Sequence, residues 1–409
     1  MNGREVVVTG LGLVSPHGSD VNAVFDDLMR GRSAIGLLES PGLPPAAVGR
    51  VEFDAAKWFS RLQLVGVDRV SQLAVAAAES ARRDAAWSNQ YASERIGVFV
   101  GSGMGGAATI DEGYAAVASG KRASPLTVVA SMINAAAAHV AMRVGAHGPV
   151  LTYSVACASS AVAVAAAARA IQDGEIDIAI ACGSEALILP NVIRAWQALH
   201  TLATPDADDP SASCRPFAKN RTGFALSEGA AATILESRSH ALARGARIYA
   251  AWAGSGMSCD ATHLTKPDVA GQTRALRLAL QHSGLEPKEV GYCNAHGTAT
   301  PAGDVVECEA LRAVWADSIG TLRVSSTKSM HGHLLGAAGA LEAAITILAL
   351  YKQRIPPTAN SHPADPACAV PVVRGQGVDA PALSAAISSS FAFGGTNVVL
   401  AFRSESSRS

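Results

Sequence analysis

The sequence contains few charged and few aromatic residues. Only 16% of its 409 residues are Asp, Glu, Lys or Arg, against roughly 25% in an average globular protein, and only 5% are aromatic. The 33 basic and 34 acidic side chains leave a formal net charge of −1. This balance lacks the excess of basic residues that is typical of proteins binding nucleic acids or membrane surfaces. We therefore expect neither nucleic acid nor a membrane surface among its partners.

Long apolar runs are also scarce. The alanine-rich stretch 161–170 is interrupted by Arg169 and is shorter than the roughly 18 residues that a membrane-spanning helix needs, so we expect no membrane span. The run Val6–Thr9 near the amino terminus is short and β-branched, which predicts a first strand rather than a secretory leader.

Cysteine is sparse and shows no regular spacing. Seven cysteines are an odd number in a long chain, which does not fit a disulfide framework. No pair of cysteines or histidines has the spacing of a zinc site, so we expect no metal. These features favour a reducing, cytoplasmic setting.

Alanine, valine and 38 glycines dominate instead, in segments that alternate between strand-like and helix-like patterns. Several of the predicted strands are apolar on both faces, as strands covered by helices on both sides must be. The predicted strands are 6–9, 96–100, 150–155, 176–181, 231–236, 248–253 and 387–390. The predicted helices are 21–30, 71–84, 158–172, 273–282, 306–316 and 339–350. Proline-rich segments at 40–48, 201–213 and 361–381 predict surface connections. The alternation predicts an α/β sandwich with buried sheets.

Cys157 lies in a small-residue turn between a predicted strand and a predicted helix. The start of a helix presents free N–H groups and partial positive charge to the sulfur. We expect this to lower the thiol pKa by roughly one to one and a half units from about 8.5. Cys157 would then be a usable nucleophile. A buried structural cysteine is the alternative that this segment alone leaves open.

Two histidines lie in similar turns. His296 follows an apolar strand, and His333 precedes another alanine-rich helix. A neutral imidazole near a helix start can donate a hydrogen bond to a developing oxyanion. Each histidine alone fits a structural role as well, but two of them together with Cys157 indicate a catalytic site.

A fourth turn, 388–397, contains Gly394 and Gly395 between two strands. Glycines there permit positive φ and direct backbone N–H groups into a cavity. A phosphate-binding loop is a weak alternative, since no GxxxxGK[ST] motif occurs and the glycine-rich run 101–106 lacks the context of a dinucleotide site.

These four turns together resemble those of the β-ketoacyl-(acyl carrier protein) synthases, the elongating condensing enzymes. The matching motifs are ACASS around Cys157, HGTAT at His296, KSMHGHLLGAAG at 328–339 and FAFGGTN at 391–397. The resemblance implies a thiolase-like fold, which is a duplicated, layered α/β/α/β/α sandwich. It also implies an N-terminal half of residues 1–240 that carries the cysteine, and a C-terminal half of residues 241–409 that carries the histidines.

The resemblance implies a role for each matching residue. Cys157 would carry the acyl chain, and His296, His333 and Lys328 would complete the catalytic site. The further implied roles are the oxyanion hole and gate for Phe393, structural support for Asp304 and for Glu307, which would pair near Lys328, pantetheine binding for Thr298 and Thr300, and the acyl pocket for Met104 and Thr127.

The implied reaction is a decarboxylative Claisen condensation of malonyl carrier with the Cys157-bound acyl chain, as in fatty-acid elongation. The substrates would arrive on the phosphopantetheine of acyl carrier protein, with no further cofactor, and the enzyme would be a homodimer. One alternative is a specialised ketosynthase of an aryl-polyene or type II polyketide pathway that acts with a chain-length partner subunit. A non-catalytic chain-length partner fits less well, because Cys157 and both histidines are present. A thiolase would normally have a second active-site cysteine, whereas Cys368 lies in a proline-rich connection.

The chain departs from the family pattern in several places. Ser160 replaces a usual glycine, His331 replaces a threonine or other small residue, and aspartates are missing at Ala218 and Asn220. Basic residues that commonly dock the acidic carrier are missing at 62–67 and at Leu202, although Lys121 and Arg122 remain. Because basic residues act on carrier docking mainly through long-range electrostatics, we expect a different docking mode, a specialised carrier or a partner subunit.

Overall fold

We describe residues 4–87 and 91–405 of the chain in a computed structural model. The predicted outer ends of the two halves, at residues 1 and 409, lie outside these ranges. The strands are β1 (Val6–Val14), β2 (Gly36–Leu38), β3 (Ala46–Gly49), β4 (Ile96–Gly101), β5 (Val150–Tyr153), β6 (Ile178–Glu185), β7 (Leu226–Ser227), β8 (Gly229–Ser237), β9 (Ala250–Cys259), β10 (Val290–Asn294), β11 (Arg323–Ser325), β12 (Arg354–Ile355), β13 (Val378–Asp379), β14 (Ala385–Phe391) and β15 (Thr396–Arg403).

The helices occupy the connections between these strands. They are α1 (Val21–Met29), α2 (Arg69–Asp84), α3 (Ala107–Ala118), α4 (Thr127–Ser131), α5 (Ala135–Val144), α6 (Ser159–Gln172), α7 (Pro190–Ala198), α8 (Arg238–Ala243), α9 (Val269–Ser283), α10 (Gly303–Trp315), α11 (Lys328–His331) and α12 (Ala338–Lys352). All seven predicted strands and all six predicted helices overlap elements of this set. The predicted connection 40–48 runs into the buried strand β3, because its last residues are apolar and pair with β2 and β7.

Ten strands form one continuous mixed sheet in the order β11-β10-β14-β15-β9-β1-β8-β6-β4-β5. It consists of two five-stranded arrays that meet where β1 pairs with β9 over Val7 and Val8. In the first array β5, β4 and β6 are parallel, and β8 and β1 follow as antiparallel neighbours. In the second array β11, β10, β14, β15 and β9 repeat the same order and directions. The strand order therefore shows an internal duplication.

The helices complete five layers. Helices α6 and α12 lie between the two arrays and contact both, whereas α2 and α5 cover the outer face of the first array, and α9 packs on the second together with α10. Residues 338–350 of α12 are all buried, which explains why this helix has no polar face. A Cβ atom on Gly339 would lie 2.8 Å from the nitrogen of Ala161, so the two central helices approach each other closely there. The predicted α/β/α/β/α sandwich is confirmed.

One segment of the described residues is long and apolar enough to span a membrane by length and composition, namely Leu335–Lys352. It is 89% buried inside the protein, because it forms the central layer together with α6. A buried core helix passes the same length test as a membrane span, and this one packs against protein on all sides.

Helix α8 connects the last strand of the first array in chain order to the first strand of the second. The boundary predicted between residues 240 and 241 falls inside this helix. Each half therefore supplies one array together with the helices that cover it. The catalytic candidates lie where the two arrays and the central helices meet.

Candidate active site

Four turns that follow the carboxyl ends of strands converge at one place. Cys157 follows β5, His296 follows β10, His333 follows β11 and Phe393 follows β14. The sulfur of Cys157 lies 3.0 Å from Nε2 of His333, and the centroids of the two imidazole rings are 5.4 Å apart. The structure therefore brings together the residues that the sequence motifs place far apart in the chain.

The cysteine turn is held in a strained conformation by its own neighbours. Ala156 has a φ of +49°, in the left-handed region that an alanine rarely adopts. The hydroxyl of Ser159 donates to the Ala156 carbonyl (2.6 Å) and accepts from the Val155 N–H (2.9 Å). These bonds fix the turn and place Cys157 immediately before the first turn of α6.

The thiol pKa moves in the opposite direction from the one that the sequence predicts. Burial raises the pKa of Cys157 to about 12, although the charge of Lys328 and the N–H of Phe393, which donates to the sulfur, act to lower it. The expectation of a lowered pKa is wrong because Cys157 is buried, with only 7% of its surface exposed, so that desolvation of the thiolate outweighs these favourable interactions. The resting group is a thiol, and nucleophilic attack requires loss of its proton.

His333 is positioned as a neutral hydrogen-bond donor. Its Nδ1 accepts from the backbone N–H of Leu335 (3.3 Å), which leaves the hydrogen on Nε2, the atom that faces Cys157. Burial and then the charge of Lys328 lower the pKa of His333 well below its usual value. The backbone is fixed as well, because the N–H of Ser227 in β7 donates to the His333 carbonyl (3.0 Å).

Lys328 fixes the tautomer of His296 in the same way as Leu335 fixes that of His333. The ammonium group lies 3.4 Å from Nδ1 of His296, so the imidazole hydrogen is on Nε2 and is directed to the cavity. Burial first, and then the charge of Lys328, lower the pKa of His296 well below its usual value. Both imidazoles are therefore neutral donors at physiological pH.

The carboxylate partner of Lys328 corrects the sequence analysis. Its ammonium group donates to Glu342 of α12 in an ion pair with no solvent exposure on either side chain. Glu307, the partner implied by the resemblance, accepts instead from the backbone N–H groups of His296 (2.8 Å) and Gly297 (2.7 Å). Two nearby amides satisfy Glu307, which leaves Glu342 to neutralise the lysine.

Two buried acidic residues in the first turns of α10 hold the histidine turn in place. Glu307 bonds to residues 296 and 297 as described, and Asp304 accepts from the N–H of Ala299 (3.0 Å), a residue with a φ of +64°. Burial raises the pKa of Glu307 to about 7 and that of Asp304 to about 6. These carboxylates stabilise the backbone on which His296, Thr298 and Thr300 lie.

A cavity of about 300 Å³ opens above the three reactive side chains. Cys157, His296 and His333 line it, and the hydroxyls of Thr298 and Thr300, 3.0 Å apart, form part of its wall. Its aromatic wall consists of Trp196, Phe224, Phe391 and Phe393. The ring of Phe393 stacks on Trp196 with centroids 6.1 Å apart, and Phe224 meets His333 edge-on at 5.1 Å.

The two residues expected in the acyl pocket do not line this cavity. Met104 is 46% exposed, with its backbone N–H bonded to Glu185 (3.3 Å), and Thr127 begins the short helix α4. Both lie in a region rich in exposed apolar side chains, which we call the α3–β5 face. Its exposed members are Met104, Ile110, Tyr114, Val117, Leu126, Val128, Val129, Met132, Ile133, Met142, Val150 and Leu151.

Sequence reasoning missed two buried acids, Glu185 and Glu342. Glu185 ends β6 and accepts from the N–H groups of Gly103 (2.7 Å) and Gly336 (3.0 Å), so it connects a turn of the first half to a turn of the second. Burial raises the pKa of both acids to about 7. A single charged residue within an apolar strand or helix is the signal that could have identified them.

The donor atoms of Cys157, His296 and His333 all lie within 4.8 Å of one another, close enough to hold a metal ion. The hydrogen bonds argue against such a use. Each Nδ1 faces an N–H donor, so each Nε2 carries a hydrogen, whereas a metal requires an unprotonated nitrogen. The arrangement fits hydrogen-bond donation to a substrate oxygen.

His331, which departs from the family pattern, does not join the site. Its Nε2 bonds to the hydroxyl of Thr327 (2.9 Å) and its Nδ1 to the carbonyl of Gly332 (2.7 Å). Both ring nitrogens are thus used within its own turn. His331 therefore has a structural role in this turn.

Comparison with known proteins identifies the family. The family model for the beta-ketoacyl synthase N-terminal domain matches residues 3–241, and that for the C-terminal domain matches residues 249–362. The chain belongs to the beta-ketoacyl synthase family. The recognition made from the four sequence motifs is therefore confirmed.

Relatives of this beta-ketoacyl synthase match over nearly their whole length. Nodulation protein E of Rhizobium meliloti (strain 1021) is 41% identical over 406 residues, which cover 98% of this chain and 99% of that protein. The 3-oxoacyl-[acyl-carrier-protein] synthase 2 of Synechocystis sp. is 39% identical over 409 residues, 98% of each chain. Among solved structures, the ishigamide ketosynthase/chain length factor superposes with a TM-score of 0.90 at 33% identity, covering 98% of this chain and 99% of that one.

Proposed function

We propose that this protein is a 3-oxoacyl-(acyl carrier protein) synthase, an acyltransferase that condenses a Cys157-bound acyl chain with malonyl carrier. The observation that carries the proposal is the placement of two neutral imidazole donors, His296 and His333, beside one enclosed thiol. The 3-oxoacyl-[acyl-carrier-protein] synthases among the relatives support this reaction. No cofactor is needed, because loss of CO₂ from the malonyl group generates the carbanion.

In the first step Cys157 takes the acyl chain from its carrier. The sulfur attacks the thioester carbonyl, a new C–S bond forms, the bond to the pantetheine sulfur breaks, and the cysteine proton leaves with the released thiol. The N–H of Phe393 already points at the Cys157 sulfur. Together with the N–H of Cys157 itself, it stabilises the oxyanion of the tetrahedral intermediate.

In the second step the malonyl group loses CO₂ and becomes an enolate. Its oxygen accepts from Nε2 of His296 and Nε2 of His333, which are neutral donors held at fixed positions by Lys328 and Leu335. The enolate carbon then attacks the acyl carbonyl on Cys157. A C–C bond forms, the C–S bond breaks, and the thiolate takes up a proton from water as the 3-oxoacyl carrier departs.

The cavity wall accommodates the pantetheine arm. Thr298 and Thr300 present two hydroxyls along it, and Phe393 lies at the same wall, partly exposed and stacked on Trp196. We assign the threonines to binding of the arm and Phe393 to gating of the acyl site. Rotation of Phe393 away from Trp196 would open space beside Cys157.

The carrier protein and a second copy of the chain are the proposed partners. A solved relative, 31% identical with a TM-score of 0.91, is described as a type II polyketide acyl-carrier protein in complex with its ketosynthase. The α3–β5 face ends at the edge strand β5, where Val150 and Leu151 are exposed, and an apolar edge of this kind favours pairing. A second copy on this face would cover Met104 and Thr127 and make them part of an enclosed acyl pocket.

A specialised ketosynthase remains the second candidate. Leu62 and Val65 are 86% and 65% exposed in the segment where many fatty-acid members carry basic residues. A ketosynthase/chain length factor pair is also among the similar structures. In this case the α3–β5 face would bind a chain-length partner instead of a second copy. We place the protein in the cytoplasm for either reading, in keeping with its seven unpaired cysteines.

Mass spectrometry of the intact protein tests the proposal. Wild-type protein incubated with acyl carriers of graded chain length should gain the acyl mass on Cys157, and subsequent malonyl carrier should release a 3-oxoacyl product. Failure to load any acyl chain would refute the proposal. One added two-carbon unit per turnover supports fatty-acid elongation, whereas repeated addition only with a partner subunit supports the specialised pathway. Native mass spectrometry distinguishes a homodimer of this chain from a monomer that requires a partner subunit.

A further inference from the structure

Ser160 links the two central helices through a buried hydrogen bond. It lies three residues after Cys157, in the first turn of α6, and is completely buried. Its Oγ accepts from the backbone N–H of Ala340 in α12 at 2.9 Å. This bond joins the helix that follows the nucleophile to the helix that follows the histidine turn.

The bond gives a partner to one of the free N–H groups at the start of α12. The first N–H groups of a helix have no partner within the helix, and the residue before α12 supplies no side-chain cap. Ala340 is the third residue of α12, so Ser160 provides a cap from the other half of the molecule. Just before α12, the N–H of Leu335 sets the tautomer of His333.

Close packing restricts Ser160 to this position. A Cβ on Gly183 would lie 2.5 Å from the Cβ of Ser160, and one on Gly101 would lie 2.2 Å from its nitrogen. Strands β6 and β4 therefore press directly on the first turn of α6. The hydroxyl has no room for a different approach to Ala340.

We propose that Ser160 is a positioning residue that holds the Cys157 sulfur at its distance from Nε2 of His333. The proposal rests on the assignment of these two residues to the proposed reaction. Without the hydroxyl, the N-terminal turns of α6 and α12 lose their polar connection. The donor hydrogen of His333 would then stabilise the developing thiolate less well.

The test compares Ser160→Ala with Ser184→Ala. Ser184 is an equally buried hydroxyl that donates to the carbonyl of Val70 (2.7 Å), and it serves as the control for simple loss of a buried hydrogen bond. The measurements are the rate constant of Cys157 alkylation by iodoacetamide at one fixed, near-neutral pH, followed by peptide mass spectrometry, the kcat and KM of condensation, and the melting temperature. The alkylation arm does not require the enzyme to turn over.

Ser160→Ala should lower the alkylation rate constant about threefold, which corresponds to a rise of about half a unit in the thiol pKa, and lower kcat about tenfold at unchanged KM. Ser184→Ala should lower the melting temperature and leave the alkylation rate constant and kcat unchanged. A Ser160→Ala protein with the wild-type alkylation rate constant and kcat would overturn the proposal, whatever its melting temperature. If that variant does not fold, Ser160→Gly, the residue typical of the family, replaces it with the same expectations. A wild-type protein that alkylates but never loads an acyl chain contradicts the proposed function and not the positioning role.

Discussion

The two halves of the molecule share one strand order but carry different chemistry at the ends of equivalent strands. The turn after β5 bears Cys157, whereas the equivalent turn after β11 bears Lys328 and His333. Strand β10 is followed by His296, and its counterpart β4 by a turn whose N–H groups bond to Glu185. Equivalent backbone positions therefore support a nucleophile in one half and hydrogen-bond donors in the other.

The buried acids show the same contrast. In the first half Glu185 is satisfied by backbone N–H groups and a serine hydroxyl, whereas in the second half Glu342 is paired with the ammonium of Lys328. Burial first, and then the added cation, opposes protonation of both histidines and lowers their pKa values. In the proposed mechanism, duplication supplies two similar scaffolds, and the placement of one lysine makes the second the site of carbanion stabilisation.

Removing the nucleophile should have the largest effect, because it should abolish the reaction step of the first half and leave that of the second half intact. Cys157→Ala should abolish acyl loading, since no other described cysteine lines the cavity, while decarboxylation of malonyl carrier by the second half persists. Intact-mass measurement follows loading, and CO₂ release follows decarboxylation. Cys182→Ala, which removes another buried thiol of the first half, should leave both activities unchanged. An acylated Cys157→Ala protein would refute the division between halves.

Breaking the buried ion pair should destabilise the protein by about 3–5 kcal/mol, because Lys328→Met leaves the buried Glu342 carboxyl without the cation that compensates its charge, so that the carboxyl must take up a proton. Chemical denaturation of the full chain measures this loss. The double variant Lys328→Met/Glu342→Leu should recover most of it, since an apolar pair of similar volume is often neutral. A double variant as unstable as the single one would show that packing, not charge, dominates at this position.

The histidines should affect the second reaction step more than the first. His333→Ala should slow decarboxylation by about 10²–10³-fold, the usual cost of one oxyanion donor (roughly 3–4 kcal/mol), with a smaller effect on acyl loading. Single-turnover measurements of CO₂ release and of acyl-enzyme formation separate the two steps. Equal losses in both would mean that His333 acts mainly through the Cys157 sulfur.

The fold and the convergence of reactive residues could be predicted because they depend on short sequence patterns. A strand, a small-residue turn and an alanine-rich helix occur together around Cys157, and similar patterns surround His296 and His333. These local signals predict the position of each side chain between its strand and its helix, and they predict what chemistry it can perform. They are sufficient because the duplicated strand order brings these turns to one place.

Properties that depend on long-range packing could not be predicted in this way. The pairing of Lys328 with Glu342 arises because α12 lies against the lysine turn, and no local pattern encodes that contact. The raised pKa of Cys157 depends on enclosure by segments from both halves. Met104 and Thr127 fall outside the cavity because their segment forms an exposed face of the single chain.

Within the described residues Glu185 is a buried acid without a cation partner, unlike Glu342, and the pH dependence of the free energy of unfolding tests this contrast quantitatively. The folded pKa of Glu185 is about 7, above the usual value of about 4.3, so folding favours its protonated form. At low pH the group is protonated in both the folded and unfolded states and its ionisation does not affect stability, whereas the destabilisation due to ionisation grows as pH rises from about 4.5 to 7. Relative to Glu185→Gln, the wild-type protein should lose about 3 kcal/mol across this window. A difference that stays constant from pH 4.5 to pH 7.5 in denaturant titrations would contradict the raised pKa.

The smallest expected effect is on substrate binding, in which we expect the turn after β10 to take part and its counterpart after β4 not to. The turn after β10 presents the hydroxyl of Thr300 to the cavity, whereas its counterpart after β4 is held by Glu185 and does not line the cavity. Thr300→Val should therefore raise the KM for malonyl carrier about fivefold, equivalent to one hydrogen bond of about 1 kcal/mol, with kcat unchanged. Thr233→Val, a buried threonine on β8 in the first half, is the matched control and should leave KM unchanged. A fall in kcat without a change in KM would instead place Thr300 in the support of His296, because both lie on the turn fixed by α10.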